Sequence, residues 1–127
     1  MAGYSYRDLD VWQKAMDLVL ECYKLARRFP SDERYGLVSQ IQRAAVSVPA
    51  NIAEGQARQY VKEFVHHLSI AQGSLAEVET FVQLAERLQY VNKGVVQAIL
   101  ITTDQVARMI AGLQKSLKQS KPKTNNQ

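Results

Sequence analysis

The chain has 127 residues, 46% of them hydrophobic, and one cysteine, Cys22. That is the length of one domain with a proper core, and no run of about 18 apolar residues exists to span a membrane. A lone thiol cannot staple the fold and fits a reducing compartment. "MAGYSYRDLD" lacks the apolar stretch of a secretory signal, so a cytoplasmic protein without membrane contact is expected. The net charge of +4 is local: residues 1–114 hold 12 Lys/Arg against 12 Asp/Glu, and Lys115, Lys118, Lys121 and Lys123 make the excess.

The first segment, about 7 to 28, repeats Leu9, Trp12, Met16, Val19, Cys22, Tyr23 and Ala26 at helical steps. "FPSDE" interrupts it, with Ser31 or Asp32 placed to cap the next helix. The second segment, about 32 to 57, aligns Leu37, Ile41, Ala44, Val48 and Ile52. The third, about 60 to 89, aligns Phe64, Leu68, Ala71, Leu75, Val78, Val82 and Ala85. Asn92 is placed to cap a fourth, about 93 to 118, built on Ile99, Val106, Ile110, Leu113 and Leu117. No alternating segment suggests a strand. The expectation is all-α: an antiparallel up-down four-helix bundle over residues 1–114. A basic, disordered tail is expected over 115–127.

Apolar side chains exceed what such a bundle buries. Val95, Val96, Ile99, Leu100 and Ile101 form more than one stripe, and Leu18 and Leu25 lie off the first helix's seam. Gly73 and Ser74 would let another helix approach. Self-association is expected.

"SVPANIAEG", residues 47–55, sets Pro49 and Gly55 inside the second helix. A proline there costs about 3 kcal/mol and kinks the helix; an interior glycine costs about 1 kcal/mol. Gln40, Arg43, Ser47, Asn51, Glu54 and Arg58 share an arc of about 80° beside the apolar face. That is the place for a polar network, with the proline aiming Asn51 and Glu54, and Gly55 admitting a neighbour or ending the helix. A structural network, a binding surface and a catalytic centre are the three readings of this row. Glu54 with Arg58 is an i, i+4 pair.

Other chemistry is sparse. Glu63 and His66 form one Glu-x-x-His, but a di-iron bundle needs two copies and two further glutamates. The chain has two histidines, His66 and His67, pointing about 100° apart. His67, on the apolar face, is expected to be a hydrogen-bonded core residue, and His66 to face solvent. No nucleophile–histidine–acid spacing, phosphate-cradling glycine loop or paired-cysteine motif occurs. No metal, cofactor or catalytic activity is expected. Arg27, Arg28 and Arg34 surround the first turn, where they can meet a phosphate.

"DLDVWQKA", "FPSDERYGLVSQIQRAAVSVPANIAEGQAR" and "EFVHHLSIAQGSLAEVET" closely resemble the four-helix-bundle proteins encoded within intervening sequences of bacterial 23S rRNA genes. The resemblance covers roughly residues 5 to 113 and centres on Gln40, Arg43, Ser47, Asn51, Ile52, Glu54 and Gly55. It extends in fold to accessory proteins of diversity-generating retroelements, which form homopentameric rings and bind RNA and a reverse transcriptase. It implies a non-catalytic, ring-like homopentamer that binds RNA or DNA, or adapts a nucleic-acid-processing protein. Arg43, Arg58, Lys62 and the four tail lysines would meet phosphate, while Gln40, Arg43, Ser47, Asn51 and Glu54 organise a polar network or subunit contact. Tyr60 stands where such proteins often have a small hydroxyl cap, and His66–His67 where they often have a basic residue and an aromatic one. The alternative is a protein-binding scaffold that does not touch nucleic acid.

Overall fold

A computed structural model describes residues 5–120. Ser5 opens it with a capping box around a 3-10 turn, Tyr6–Asp8. Four helices follow: α1 (Asp10–Ala26), α2 (Leu37–Ala57), α3 (Val61–Arg87) and α4 (Lys93–Gln119). Each packs on its neighbours in chain order and α4 closes back on α1. The described residues are all-α, and no described helix is long and apolar enough to cross a membrane.

The polar links between α3 and α4 give their direction. Gln72 Nε2 donates to the Ala107 carbonyl at 2.9 Å, and Gln114 Nε2 donates to Ser69 Oγ at 3.1 Å. As one residue number rises the other falls, so the pair is antiparallel. Leu18, Ile41, Ile52, Leu68, Leu75, Val78, Val82, Val96, Val106 and Ile110 form the centre of the core. Burying each such side chain contributes about 1.5–3 kcal/mol.

Three details differ from the expectations. The seam of α1 is Val11, Ala15, Leu18, Cys22, Leu25 and Ala26. Leu18 and Leu25 are therefore core, while Met16 and Tyr23 are about 40% exposed and Leu20 is 62% exposed. α1 carries two adjacent apolar stripes, and the one with small residues, Ala15, Cys22 and Ala26, is the one that lets neighbouring helices close in. The start of α2 also moves. Ser31–Glu33 makes its own 3-10 turn, the N-cap position is Gly36, and Glu33 from the turn before it supplies the acceptor, its Oε1 taking the Leu37 N–H at 2.9 Å. Ser31 and Asp32 do not cap α2. At the far end, α4 runs to Gln119, in keeping with the helix expected over about 93 to 118, so Lys115 and Lys118 are helical and the expected disordered tail does not begin at 115. Lys121 and Lys123 lie outside the described residues.

The α3–α4 link is sharply defined. Gln89 takes a positive φ of 66°, and the Tyr90 N–H reaches back to the Ala85 carbonyl at 3.0 Å, closing α3 with the bond of a Schellman turn. Asn92 then caps α4 as expected, its Oδ1 accepting the Val95 N–H at 3.0 Å.

Candidate functional site

Pro49 is buried inside an α2 that runs unbroken from Leu37 to Ala57. Beside it, Ser47 and Asn51 turn toward α3. Asn51 Nδ2 donates to the Ser47 carbonyl at 2.9 Å and to Ser47 Oγ at 3.0 Å. A carbonyl only accepts, so the amide nitrogen must lie on that side. Asn51 Oδ1 therefore faces His67 Nδ1, 3.0 Å away on α3, and that ring nitrogen carries the proton. Ser74, also on α3 and buried, donates its hydroxyl to Ser47 Oγ at 2.8 Å. The result is a hydrogen-bonded seam joining the two helices.

Glu54 and Arg58 extend the seam to the surface. Arg58 Nη2 lies 2.7 Å from Glu54 Oε2, with both side chains about half exposed. His67 Nε2 is 3.9 Å from the same oxygen. The hydrogen bond from Arg58 holds the Glu54 carboxyl below the usual range, the charge on a protonated His67 and that of Arg58 add to this, and partial burial opposes it.

Gly55 completes the arrangement. A Cβ placed there would lie 2.8 Å from His67 Cβ and 2.9 Å from Phe64 Cδ1. The helix continues through Gly55 to Ala57, so its role is close approach: it is the notch that lets α3 reach Asn51.

The expected polar network thus exists in part. Ser47 and Asn51 belong to it, and Glu54 sits at its exposed edge. Gln40 and Arg43 do not: both are exposed and neither side chain makes a hydrogen bond among the described residues. Arg43 instead lines an open trough with Tyr23, Ser39, Gln42, Val46 and Ser47. The row lies along one helix, whereas the polar part of α3 meets only its C-terminal half. His67 is the hydrogen-bonded histidine its apolar position implies, and Ser74, read only as a small residue, is a donor. Ser47 Oγ pairs with Asn51 and Ser74, and not with His67. No described group of three or more His, Cys, Asp or Glu can hold a metal ion.

Other polar contacts gave no sequence signal. Thr103 Oγ1 donates to Glu79 Oε2 at 2.7 Å, and Thr102 Oγ1 to Glu21 Oε2 at 3.3 Å. Buried Cys22 has its thiol pushed up to about 12, mainly by burial and then by the Glu21 charge, so it stays an unreactive core thiol at neutral pH.

The expected phosphate-binding residues separate into groups. Arg58 is paired with Glu54. Along α2, Arg43 is about 22 Å from Arg58 at 1.5 Å per residue. Lys62, on the first turn of α3, shares a bundle end with Lys115 and Lys118 of α4. The Gln114 bonds to Val65 and Ser69 set that register, placing Lys118, one turn on, at the level of Lys62. All three lysines are exposed, and none is in an ion pair among the described residues.

No curated protein matches the chain. Among solved structures, a protein of unknown function from the S23 ribosomal protein family of Bacteroides thetaiotaomicron VPI-5482 has the same fold, with a TM-score of 0.77 at 22% identity. The similarity covers 83% of this chain and 98% of that one. Residues 7–112 match the family described as 23S rRNA-intervening sequence protein. With that match spanning the bundle from the first 3-10 turn almost to Leu113, the chain belongs to the 23S rRNA-intervening sequence protein family.

Proposed function

We propose that this protein is a non-catalytic, cytoplasmic RNA-binding bundle that works as a homo-oligomer, in a ring of five. Its partners would be RNA or DNA, or a nucleic-acid-processing protein such as a reverse transcriptase. The observation that carries the reading is the cluster of Lys62, Lys115 and Lys118 at one end of α3 and α4, exposed and without an acidic partner among the described residues. Three such ammonium groups on one rim suit a phosphate backbone, which is bound by charge and without base reading. A ring would repeat the cluster and engage many phosphates at once.

The test is binding of a structured RNA across a salt series. Affinity should fall steeply with salt, and Lys62→Gln with Lys115→Gln and Lys118→Gln should flatten the slope. Absence of RNA and DNA binding even at about 50 mM salt, where such contacts are strongest, would refute the reading. The scaffold alternative would then stand, favoured by the exposed Leu20 and Ile101, at 62% and 59%.

A further inference from the structure

Tyr35 is the most exposed large apolar side chain described, at 88%. It sits in the connection between α1 and α2, and that connection is pinned. Both carboxylate oxygens of Glu33 are engaged: Oε1 accepts the Leu37 N–H at 2.9 Å, and Oε2 accepts the Tyr90 hydroxyl at 2.6 Å. Tyr90 packs in turn against buried Phe29, with ring centroids 5.5 Å apart. Gly36 follows, where a Cβ would meet Glu33 Oε1 at 2.8 Å. The turn is therefore held from both sides, and it presents Tyr35 to solvent.

Arg34 lies with its guanidinium carbon 5.6 Å from the centre of the Tyr35 ring, within cation–π reach. Arg27 and Arg28, at the end of α1, are exposed on the same connection. The acidic groups here are exposed Asp32 and half-buried Glu33, the latter already holding two donors. An outward aromatic ring beside a guanidinium is the pairing that single-stranded nucleic acids use, base on ring and phosphate on cation. A duplex, whose bases are stacked internally, has no free face to offer.

We propose that Tyr35 with Arg34 is a stacking platform for an unpaired base, with Arg27 and Arg28 meeting the flanking phosphates. It lies at the bundle end opposite Lys62, Lys115 and Lys118. The inference rests on the nucleic-acid-binding reading above and names the form of nucleic acid: an unpaired segment.

The experiment compares the full chain with Tyr35→Ala and Tyr35→Trp, binding a short oligouridylate and an RNA duplex of matched length, with sedimentation of each variant. Tyr35→Ala should weaken single-strand binding about tenfold, within the range for loss of one stacked base. Duplex binding should not change, and Tyr35→Trp should restore the single-strand affinity. An unaltered single-strand affinity for Tyr35→Ala overturns the platform and leaves the RNA-binding reading standing. An equal loss on both probes overturns it too, because the contact is then with backbone alone. A changed sedimentation coefficient shows instead that Tyr35 is a protein contact, which also overturns it. If the wild-type protein binds neither probe, both proposals fall.

Discussion

Asn51 holds His67 by the ring's Nδ1 at 3.0 Å, and the orientation of that amide is dictated one turn back by the carbonyl of Ser47. One side chain thus spends its donor within α2 and its acceptor across to α3. Replacing Asn51 with Ala should cost about 1–3 kcal/mol in chemical denaturation, because His67 Nδ1–H loses its acceptor and Ser47 loses a donor in a partly buried network. Asn51→Asp should be no rescue, since a carboxylate oxygen would then face the Ser47 carbonyl. A loss below about 0.5 kcal/mol, typical of an open surface site, would show that the seam contributes little.

Two glycines should respond in opposite ways. Gly55→Ala gains helix propensity of about 1 kcal/mol, but its Cβ meets His67 Cβ at 2.8 Å. Since that is the root of a side chain and not a flexible tip, the helices must part, and a net loss of about 1–3 kcal/mol is expected. A Cβ added at Gly73 would meet nothing within 4 Å, so Gly73→Ala should raise the melting temperature of the bundle itself. If Gly73 is a subunit contact, the same substitution should weaken assembly in sedimentation.

Acid stability should depend on Glu33. Hydrogen bonds from Tyr90 and then from the Leu37 amide hold its carboxyl below the ordinary value, against an opposing effect of burial. A pKa lower in the folded state stabilises the fold above the unfolded value and is lost as pH falls through the folded one. Tyr90→Phe should therefore flatten the acid limb of stability against pH. The Glu33 contacts also raise the Tyr90 hydroxyl above its ordinary 10.0. That contribution is complete below pH 10 and fades as pH rises through the higher folded value. Wild type and Tyr90→Phe should then converge in strong alkali as well as in strong acid.

For assembly, sedimentation at micromolar concentration should give a particle of about five times the 14.3 kDa chain mass. A clean monomer would refute the ring. Removing the lysines by truncation after Leu113 would be a poor companion test. It would also remove the Gln114 bonds to α3 and half-buried Leu117, so charge-neutral substitutions on the intact helix are the better tool.

The helices were legible because apolar residues repeat at helical steps, and the polar row was legible as a row. What periodicity does not carry is which of two adjacent stripes wins. Trp12, Met16 and Tyr23 look as good a seam as Leu18 and Leu25 until the small residues beside the latter are seen to set helix spacing. Gln40 and Arg43 lie outside the α2–α3 hydrogen bonds for a related reason: one helix's wheel does not contain the partner. The carboxylate at the start of α2 was missed because Glu33 meets the Leu37 amide from beyond a 3-10 turn, and its second oxygen is held by Tyr90, 57 residues away, which no local pattern reveals.

The link between α2 and α3 is only Arg58 to Tyr60, and the seam lies close to it. Closing so short a loop costs little chain entropy, so this hairpin is expected to form early in folding. α1 and α4, nearly a chain length apart at their outer ends, should dock afterward. Gly55→Ala should then slow refolding in proportion to its destabilisation, whereas shaving Leu18 or Ile110 should chiefly hasten unfolding. The notch at Gly55 would set the order of events along the folding route as well as the spacing of two finished helices.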